Sequence, residues 1–201
     1  MYHWMICMRV NSPQEADIIV QKLPSDMGIH RNPRKGTLDA PEKIMGQKTF
    51  DSDLMVDEVF PDEFDLEETQ SRIENNTREL STYSRPLLSL GGDHSVSYPV
   101  IKSLKEEQPD LQLVWLDSHL DLKKKVDDHV SHDVVVRELL DHFDESDIHF
   151  IGVTRKDSDE EELLENREFD VRAPVEAEDA ARCIEGPVYL SVDIDVLRQK
   201  H

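Results

Sequence analysis

Five short apolar segments, separated by stretches with helical character, constrain the fold of this chain more than any other feature. Each runs for five or six residues without the polar alternation of a strand that faces water on one side. The segments span residues 16–20, 86–90, 111–116, 148–153 and 187–192. Because such strands alternate with helices, the pattern predicts an α/β fold of three layers, α-β-α, with a mostly parallel sheet.

The predicted helices lie between these strands. They span residues 67–80, 98–107, 131–143, 158–167 and 175–184. Ser158 and Glu161 have the spacing of a capping box, which marks the start of the fourth helix. The acidic segment 51–68 is predicted to be a surface hairpin or loop that leads into the first helix. Since no repeat, linker or low-complexity tract interrupts the chain, we expect residues 1–201 to form a single domain.

Charge and cysteine content narrow the possible partners. The chain has 44 acidic and 23 basic residues, a net charge of −21, and this field repels nucleic acid and anionic membrane surfaces. Cys7 and Cys183 are the only cysteines, which excludes a disulfide framework and a cysteine-based zinc module. The sequence has no recognisable signal peptide or membrane span, so we expect a cytoplasmic protein that binds neither nucleic acid nor membranes.

Polar residues cluster directly after three of the predicted strands. The clusters are Gly-Gly-Asp-His-Ser at 91–95, Asp-Ser-His-Leu-Asp at 117–121 and Asp-Ile-Asp at 193–195. Ligands of open parallel sheets bind at the rim formed by the carboxyl ends of the strands. We therefore expect the three clusters to converge in space.

The spacing within the clusters indicates a metal site. Asp117, His119 and Asp121 alternate, so their side chains share one side of an extended backbone, and Asp193 and Asp195 repeat this spacing. Burying several carboxylates without a cation costs several kcal/mol per charge. Four carboxylates would balance two divalent ions, and oxygen and imidazole donors without thiolate suit manganese better than zinc or iron.

Each cluster taken alone has a simpler interpretation. In so acidic a chain, a pair such as Asp193 and Asp195 arises often by chance, and two adjacent glycines usually form a turn. An isolated histidine such as His142 or His149 is more often packed or on a helix surface than a ligand. The three clusters together favour the metal site.

Taken in order, the three clusters resemble the motifs of the ureohydrolase family, which includes arginase, agmatinase and formimidoylglutamase. The family motifs are Gly-Gly-Asp-His-Ser, Asp-Ala-His-x-Asp and Ser-x-Asp-x-Asp, at similar separations, and here Ser118 takes the place of the usual alanine. A weaker match from Ala16 to Ile44 extends the resemblance over nearly the whole chain.

This resemblance implies a binuclear centre with two Mn²⁺ per subunit. Its ligands, carried over motif by motif, are His94, Asp117, His119, Asp121, Asp193 and Asp195. His94 and Asp121 would bind one ion, and Asp117 and Asp193 would bridge the pair. His119 and Asp195 would complete the second ion's site.

The resemblance also implies a reaction. Hydroxide held between the two ions would attack the guanidinium carbon of a cationic substrate, which the negative field of the protein attracts, and release urea and an amine. Asp121 would relay a proton to the departing amine, and His132 would assist substrate binding or proton transfer. His129 competes for the latter role, but His132 directly precedes the apolar helical pattern that begins at Val134.

Agmatine, cleaved to putrescine and urea, is the predicted substrate, and arginase, guanidinobutyrase or formimidoylglutamase specificity are the alternatives. The family usually continues beyond the third motif with Asp-Pro and a glutamate that binds the guanidinium, whereas this sequence stops at His201. We therefore expect a member incomplete at its C-terminus, lacking the last strands of the sheet. A metal-binding homologue without catalytic activity is the second hypothesis. By resemblance, the protein is expected to be a homo-oligomer, either a trimer or a hexamer.

Overall fold

The computed structural model describes residues 9–29, 36–47, 52–126, 129–172 and 184–198. The chain divides into two compact units, which span Met1–Val100 and Ile101–His201. Within the ranges given, no helix has the length and apolar character that crossing a bilayer requires.

In the part of the first unit that the structure describes, three strands form a parallel sheet. These are β1 (Ile18–Leu23), β2 (Leu54–Glu58) and β3 (Leu87–Gly91), with β1 in the middle. Ile19 and Val20 point to opposite faces of the sheet and both are fully buried, so β1 is covered on both sides as its sequence predicts. It begins two residues later than predicted and extends to Leu23.

The second strand, β2, overturns the prediction of a hairpin or loop at residues 51–68. Leu54 is buried and packs with Val20 and Leu90 in the apolar core of this unit. The acidic residues that suggested a loop have partners instead, since Asp57 accepts a hydrogen bond from Asn76 at 2.7 Å. A strand whose acidic residues have polar partners therefore resembles a loop in amino-acid composition.

Two helices, α1 (Ala40–Gly46) and α2 (Leu66–Ser81), belong to this unit. Asp65 caps α2 by accepting a hydrogen bond from the N–H of Glu68. Ile73, Thr77 and Leu80 are buried along one side of the helix, at the spacing of an amphipathic face. The helix predicted at 67–80 is confirmed.

The described residues of the second unit form four parallel strands. They are β4 (Gln112–Leu116), β5 (Ile148–Ile151), β6 (Asp170–Arg172) and β7 (Val188–Val192), in the order β6-β5-β4-β7. Leu113, Trp115 and Phe150 are fully buried in its core. The parallel α/β fold is confirmed, although the short strand β6, which consists largely of charged residues, was not predicted.

One face of β7 differs from the prediction of a strand covered on both sides. Val188, Leu190 and Val192 alternate along the strand and are 44%, 57% and 52% exposed. Ser191, on the other face, is buried. Among the described residues, β7 pairs only with β4, so it forms the edge of this sheet.

Three further helices are α3 (Ser97–Glu107), α4 (Val135–Leu139) and α5 (Ser158–Asn166). The helix α4 is much shorter than the predicted 131–143, because a turn precedes it. In this turn the Ser131 hydroxyl donates to the carboxylate of Asp133, and the Ser131 carbonyl accepts from the N–H of Val134. The helix predicted at 175–184 falls almost wholly outside the described residues.

The start of α5 corrects the predicted capping box by one residue. Asp157 is the N-cap, and its N–H donates to the carboxylate of Glu160 at 2.8 Å. Ser158 and Glu161 have the same spacing as Asp157 and Glu160, so sequence alone does not distinguish the two pairs.

Candidate metal centre

The motif after β4 turns sharply at its first residue. The N–H of Asp117 donates to the carbonyl of Ile151 in β5, which extends the sheet by one bond beyond β4. The buried carboxylate of Asp117 accepts a hydrogen bond from the N–H of His119 at 2.8 Å. This bond between residues i and i+2 is typical of an Asx-turn and brings the His119 side chain back beside Asp117.

The motif after β7 has the same local structure. The N–H of Asp193 donates to the carbonyl of Leu116, the last residue of β4, at 2.9 Å. The carboxylate of Asp193 accepts a hydrogen bond from the N–H of Asp195 at 2.8 Å, the same length as the bond from His119 to Asp117. The repeated Asp-x-Asp and Asp-x-His spacing thus encodes a turn as well as a set of predicted ligands.

Three predicted ligands come together at these strand ends. Asp117, His119 and Asp195 each offer one ligand atom, and these atoms all lie within 4.8 Å of one another. His119 Nδ1 is 3.4 Å from Asp117 Oδ1 and 3.2 Å from Asp195 Oδ2. This cluster brings together three of the five predicted ligands that lie in the second unit.

The electrostatics of the cluster favour a cation. The hydrogen bond with Asp117 raises the pKa of His119 above its ordinary value, against the opposing effect of partial burial, and the charges of Asp195 and Asp121 add to the rise. Two carboxylates around one imidazole nitrogen thus attract positive charge. A divalent cation of the manganese type fits this donor set of oxygen and imidazole without thiolate.

The backbone is strained at Asp121. This residue carries the remaining carboxylate of the second unit's motifs, beside those of Asp117, Asp193 and Asp195. Its φ is +51°, in the left-handed region that residues other than glycine seldom adopt. Its carbonyl accepts hydrogen bonds from the N–H groups of Val136 and Arg137 at the start of α4. These bonds hold a conformation that the chain would not adopt by itself.

Glu160 supports the residue that follows Asp121. One of its carboxylate oxygens accepts a hydrogen bond from the N–H of Leu122 at 3.0 Å, and the other accepts from Asp157. Burial raises the pKa of Glu160, although both of these backbone bonds oppose the rise. The sequence analysis did not find this support, because residues 122 and 160 are distant along the chain.

The two histidines considered for proton transfer lie before α4. His132 is half-buried in a turn, three residues before the helix begins, and His129 is exposed. His132 therefore lies in the turn before α4 and not inside a helix that begins at residue 131, and its role stays a prediction.

In the first unit, His94 follows β3 and opens a 3₁₀ turn, His94–Val96. Asp93 is buried and fixes this turn, since its carboxylate accepts hydrogen bonds from the N–H groups of Ser95 and Gly28 at 2.8 and 2.9 Å. His94 itself is half-buried. The glycine-rich motif thus holds the histidine through the aspartate that precedes it.

Comparison with known proteins decides the family. The sequence model of the arginase family matches residues 16–201, nearly the whole chain. The chain belongs to the arginase family. It is accordingly a ureohydrolase, a hydrolase that acts on guanidino compounds.

Individual relatives agree with this assignment. The agmatinase of Bacillus anthracis is 26% identical over 207 residues, which cover 94% of this chain and 71% of that protein. A guanidinobutyrase of Pseudomonas aeruginosa is 27% identical over 223 residues, covering 92% and 68%. The crystal structure of Trypanosoma cruzi formiminoglutamase with Mn²⁺ superposes with a TM-score of 0.83 at 19% identity, covering 94% and 73%, and confirms the fold.

In this arginase-family chain, the structure shows a contact of Ser118 that the sequence does not reveal. Ser118, which replaces the usual alanine of the second motif, donates its hydroxyl proton to Asp195 at 2.7 Å. A substitution that the sequence presents as sterically mild is therefore a polar contact with a predicted ligand.

Proposed function

We propose that this protein is a manganese-dependent hydrolase that cleaves agmatine to putrescine and urea. The observation that carries the proposal is the cluster of Asp117, His119 and Asp195 in a chain of the arginase family. Agmatine is favoured among the guanidino compounds because the relative from Bacillus anthracis that aligns over 94% of the chain is an agmatinase. Guanidinobutyrate and formimidoylglutamate are the competing substrates, since a guanidinobutyrase and a formiminoglutamase also resemble the chain.

Two Mn²⁺ ions are the proposed cofactor. The proposed ligands are His94, Asp117, His119, Asp121, Asp193 and Asp195. The relative from Trypanosoma cruzi with Mn²⁺ and the donor set without thiolate support this choice of metal. When bound, such ions act as Lewis acids and lower the pKa of water toward neutrality.

The protein's own groups have three proposed roles. The ligand carboxylates supply negative charge that holds the metal and attracts a cationic guanidinium, in keeping with the net charge of −21. Asp121 accepts a proton from the attacking water and passes it to the departing amine. His132 assists this proton transfer or binds the substrate. We also propose that the enzyme acts in the cytoplasm as a homo-oligomer, a trimer or a hexamer.

Urea release tests the proposal directly. The purified protein with added Mn²⁺ is incubated with agmatine, arginine, guanidinobutyrate or formimidoylglutamate in turn, and the product is measured, which is urea for the three guanidino compounds and formamide for formimidoylglutamate. We expect agmatine to have the highest kcat/KM, with urea and putrescine in equal amounts. A higher value for another substrate would reassign the specificity, and Mn²⁺ binding without turnover of any substrate would favour the non-catalytic homologue.

A variant of the cluster sharpens this test. Asp117→Asn keeps the size of the side chain but removes its charge, and we expect kcat/KM to fall by more than about 100-fold, the upper range for loss of an outer partner of a metal ligand. Asp110→Asn is the matched control, because Asp110 is exposed in the turn before β4. Equal activity of the two variants would contradict the proposed role of Asp117.

A further inference from the structure

The hydroxyl of Ser118 lies between two members of the cluster. Its Oγ is 2.7 Å from Asp195 Oδ1 and 3.2 Å from His119 Nδ1. A hydroxyl has a single proton, and the shorter distance to a charged acceptor assigns this proton to Asp195. The backbone N–H of Ser118 donates to the same oxygen at 3.3 Å. One residue thus directs both of its donors at one carboxylate oxygen.

Ser118 is itself held firmly by the segment that follows β5. Its carbonyl accepts hydrogen bonds from the N–H groups of Thr154 and Arg155, both at 3.0 Å, and its side chain is buried. The neighbouring Asp117 is tied to β5 by its N–H as well. Because the backbone on both sides is bonded, the serine hydroxyl has a defined position and can orient its acceptor.

The two oxygens of Asp195 consequently have different surroundings. Oδ1 accepts the two hydrogen bonds from Ser118, whereas Oδ2 lies 3.2 Å from His119 Nδ1, within the cluster. We propose that Ser118 is a positioning residue of the metal centre, which holds Oδ1 and leaves Oδ2 as the oxygen of Asp195 that binds the cation. The inference rests on the proposed function, and it concerns a position where most of the family has alanine.

The energetic consequence follows from the general behaviour of metal sites. Hydrogen bonds from neighbouring residues orient a ligating carboxylate before the metal arrives, and removal of such a partner typically weakens metal binding by 10- to 100-fold. In a protein with alanine at position 118, the hydroxyl donor to Asp195 would be lost and the backbone N–H of that residue would remain. Ser118 therefore strengthens the binding of the ion that Asp195 ligates, and it leaves the other ion largely unaffected.

Calorimetric titration of the metal-free protein with Mn²⁺ tests the inference without reference to activity. We expect Ser118→Ala to raise the dissociation constant of one of the two ions about 10-fold. Ser118→Thr, which keeps the hydroxyl, should restore tight binding. Ser131→Ala is the matched control, because the buried Ser131 also donates to a carboxylate, that of Asp133, which is not a predicted ligand. Urea unfolding of the metal-free variants separates weak binding from loss of folded protein.

Each result bears on the inference in a distinct way. An unchanged dissociation constant in Ser118→Ala, or an equal rise in Ser131→Ala, overturns it. Failure of the wild-type protein to bind Mn²⁺ refutes the proposed function, and the orientation of Asp195 is then decided by a crystal structure of metal-free Ser118→Ala. A carboxylate that rotates away from position 118 supports the positioning role, and one that keeps its orientation refutes it.

Discussion

We expect Gly92→Ala to destabilise the first unit more than the same substitution at any other described glycine of that unit. A Cβ at position 92 would lie 1.9 Å from the carbonyl oxygen of Ser25, whereas real Cβ atoms essentially never approach closer than 3.0 Å. The obstacle is backbone, which cannot rotate away like a side chain. The two segments must therefore separate by about 1 Å.

This separation breaks specific bonds. The N–H of Gly92 donates to the carbonyl of Leu23 at 3.0 Å, and the N–H of Asp93 donates to that of Ser25 at 2.8 Å. Loss of two backbone hydrogen bonds costs about 1 kcal/mol each, and overpacking adds about 1–3 kcal/mol. We expect Gly92→Ala to lower the free energy of unfolding by about 3–5 kcal/mol, a large fraction of the 5–15 kcal/mol that is typical of a whole domain.

Urea unfolding followed by circular dichroism measures this effect. With a slope of about 2 kcal/mol per molar urea, the midpoint should fall by about 1.5–2.5 M. Gly46→Ala is the control, because nothing lies within 4 Å of a Cβ at that position at the end of α1, and alanine is favoured in helices. A Gly92→Ala midpoint close to that of the wild type, or an equal loss in Gly46→Ala, would refute the reasoning.

Two further predictions concern carboxylates of the second unit, the buried Glu160 and the half-buried Asp170. Glu160→Gln should lower the free energy of unfolding by about 1–3 kcal/mol, because an amide has one oxygen and cannot accept both backbone N–H bonds. In the same urea titration, Glu161→Gln at an exposed position should change this free energy by less than about 0.5 kcal/mol. Burial acts to raise the pKa of Asp170, but hydrogen bonds from Arg172 and His149 outweigh it and hold this pKa below its ordinary value. The stabilisation from Asp170 is therefore present above pH about 4 and is lost as the pH falls through the lowered pKa, so Asp170→Asn should cost about 1 kcal/mol at pH 7 and progressively less as the pH falls below about 4. A cost for Asp170→Asn that does not change with pH, or equal costs for the two glutamate variants, would contradict these expectations.

The fold was predictable where the signal was local. The segments at β1, β3, β4 and β5 are apolar because a parallel strand is covered on both faces, and this requirement is written into consecutive residues. The strand β2 was missed because its acidic residues find partners, such as Asn76 for Asp57, on a helix distant in sequence. The helix α4 was predicted too long for a related reason, since Ser131 and Asp133 form a turn that apolar periodicity does not reveal.

The same distinction applies to the candidate site. The three motifs and their position after strands identify the family and predict the ligand types from the sequence alone, because spacing along a strand determines which side chains share a face. Only the tertiary structure decided that Asp117, His119 and Asp195 meet, that Ser118 holds Asp195, and that Glu160 supports the residue after Asp121. Each of these contacts joins segments that are distant along the chain, and their approach depends on how the sheet packs rather than on any pattern within one segment.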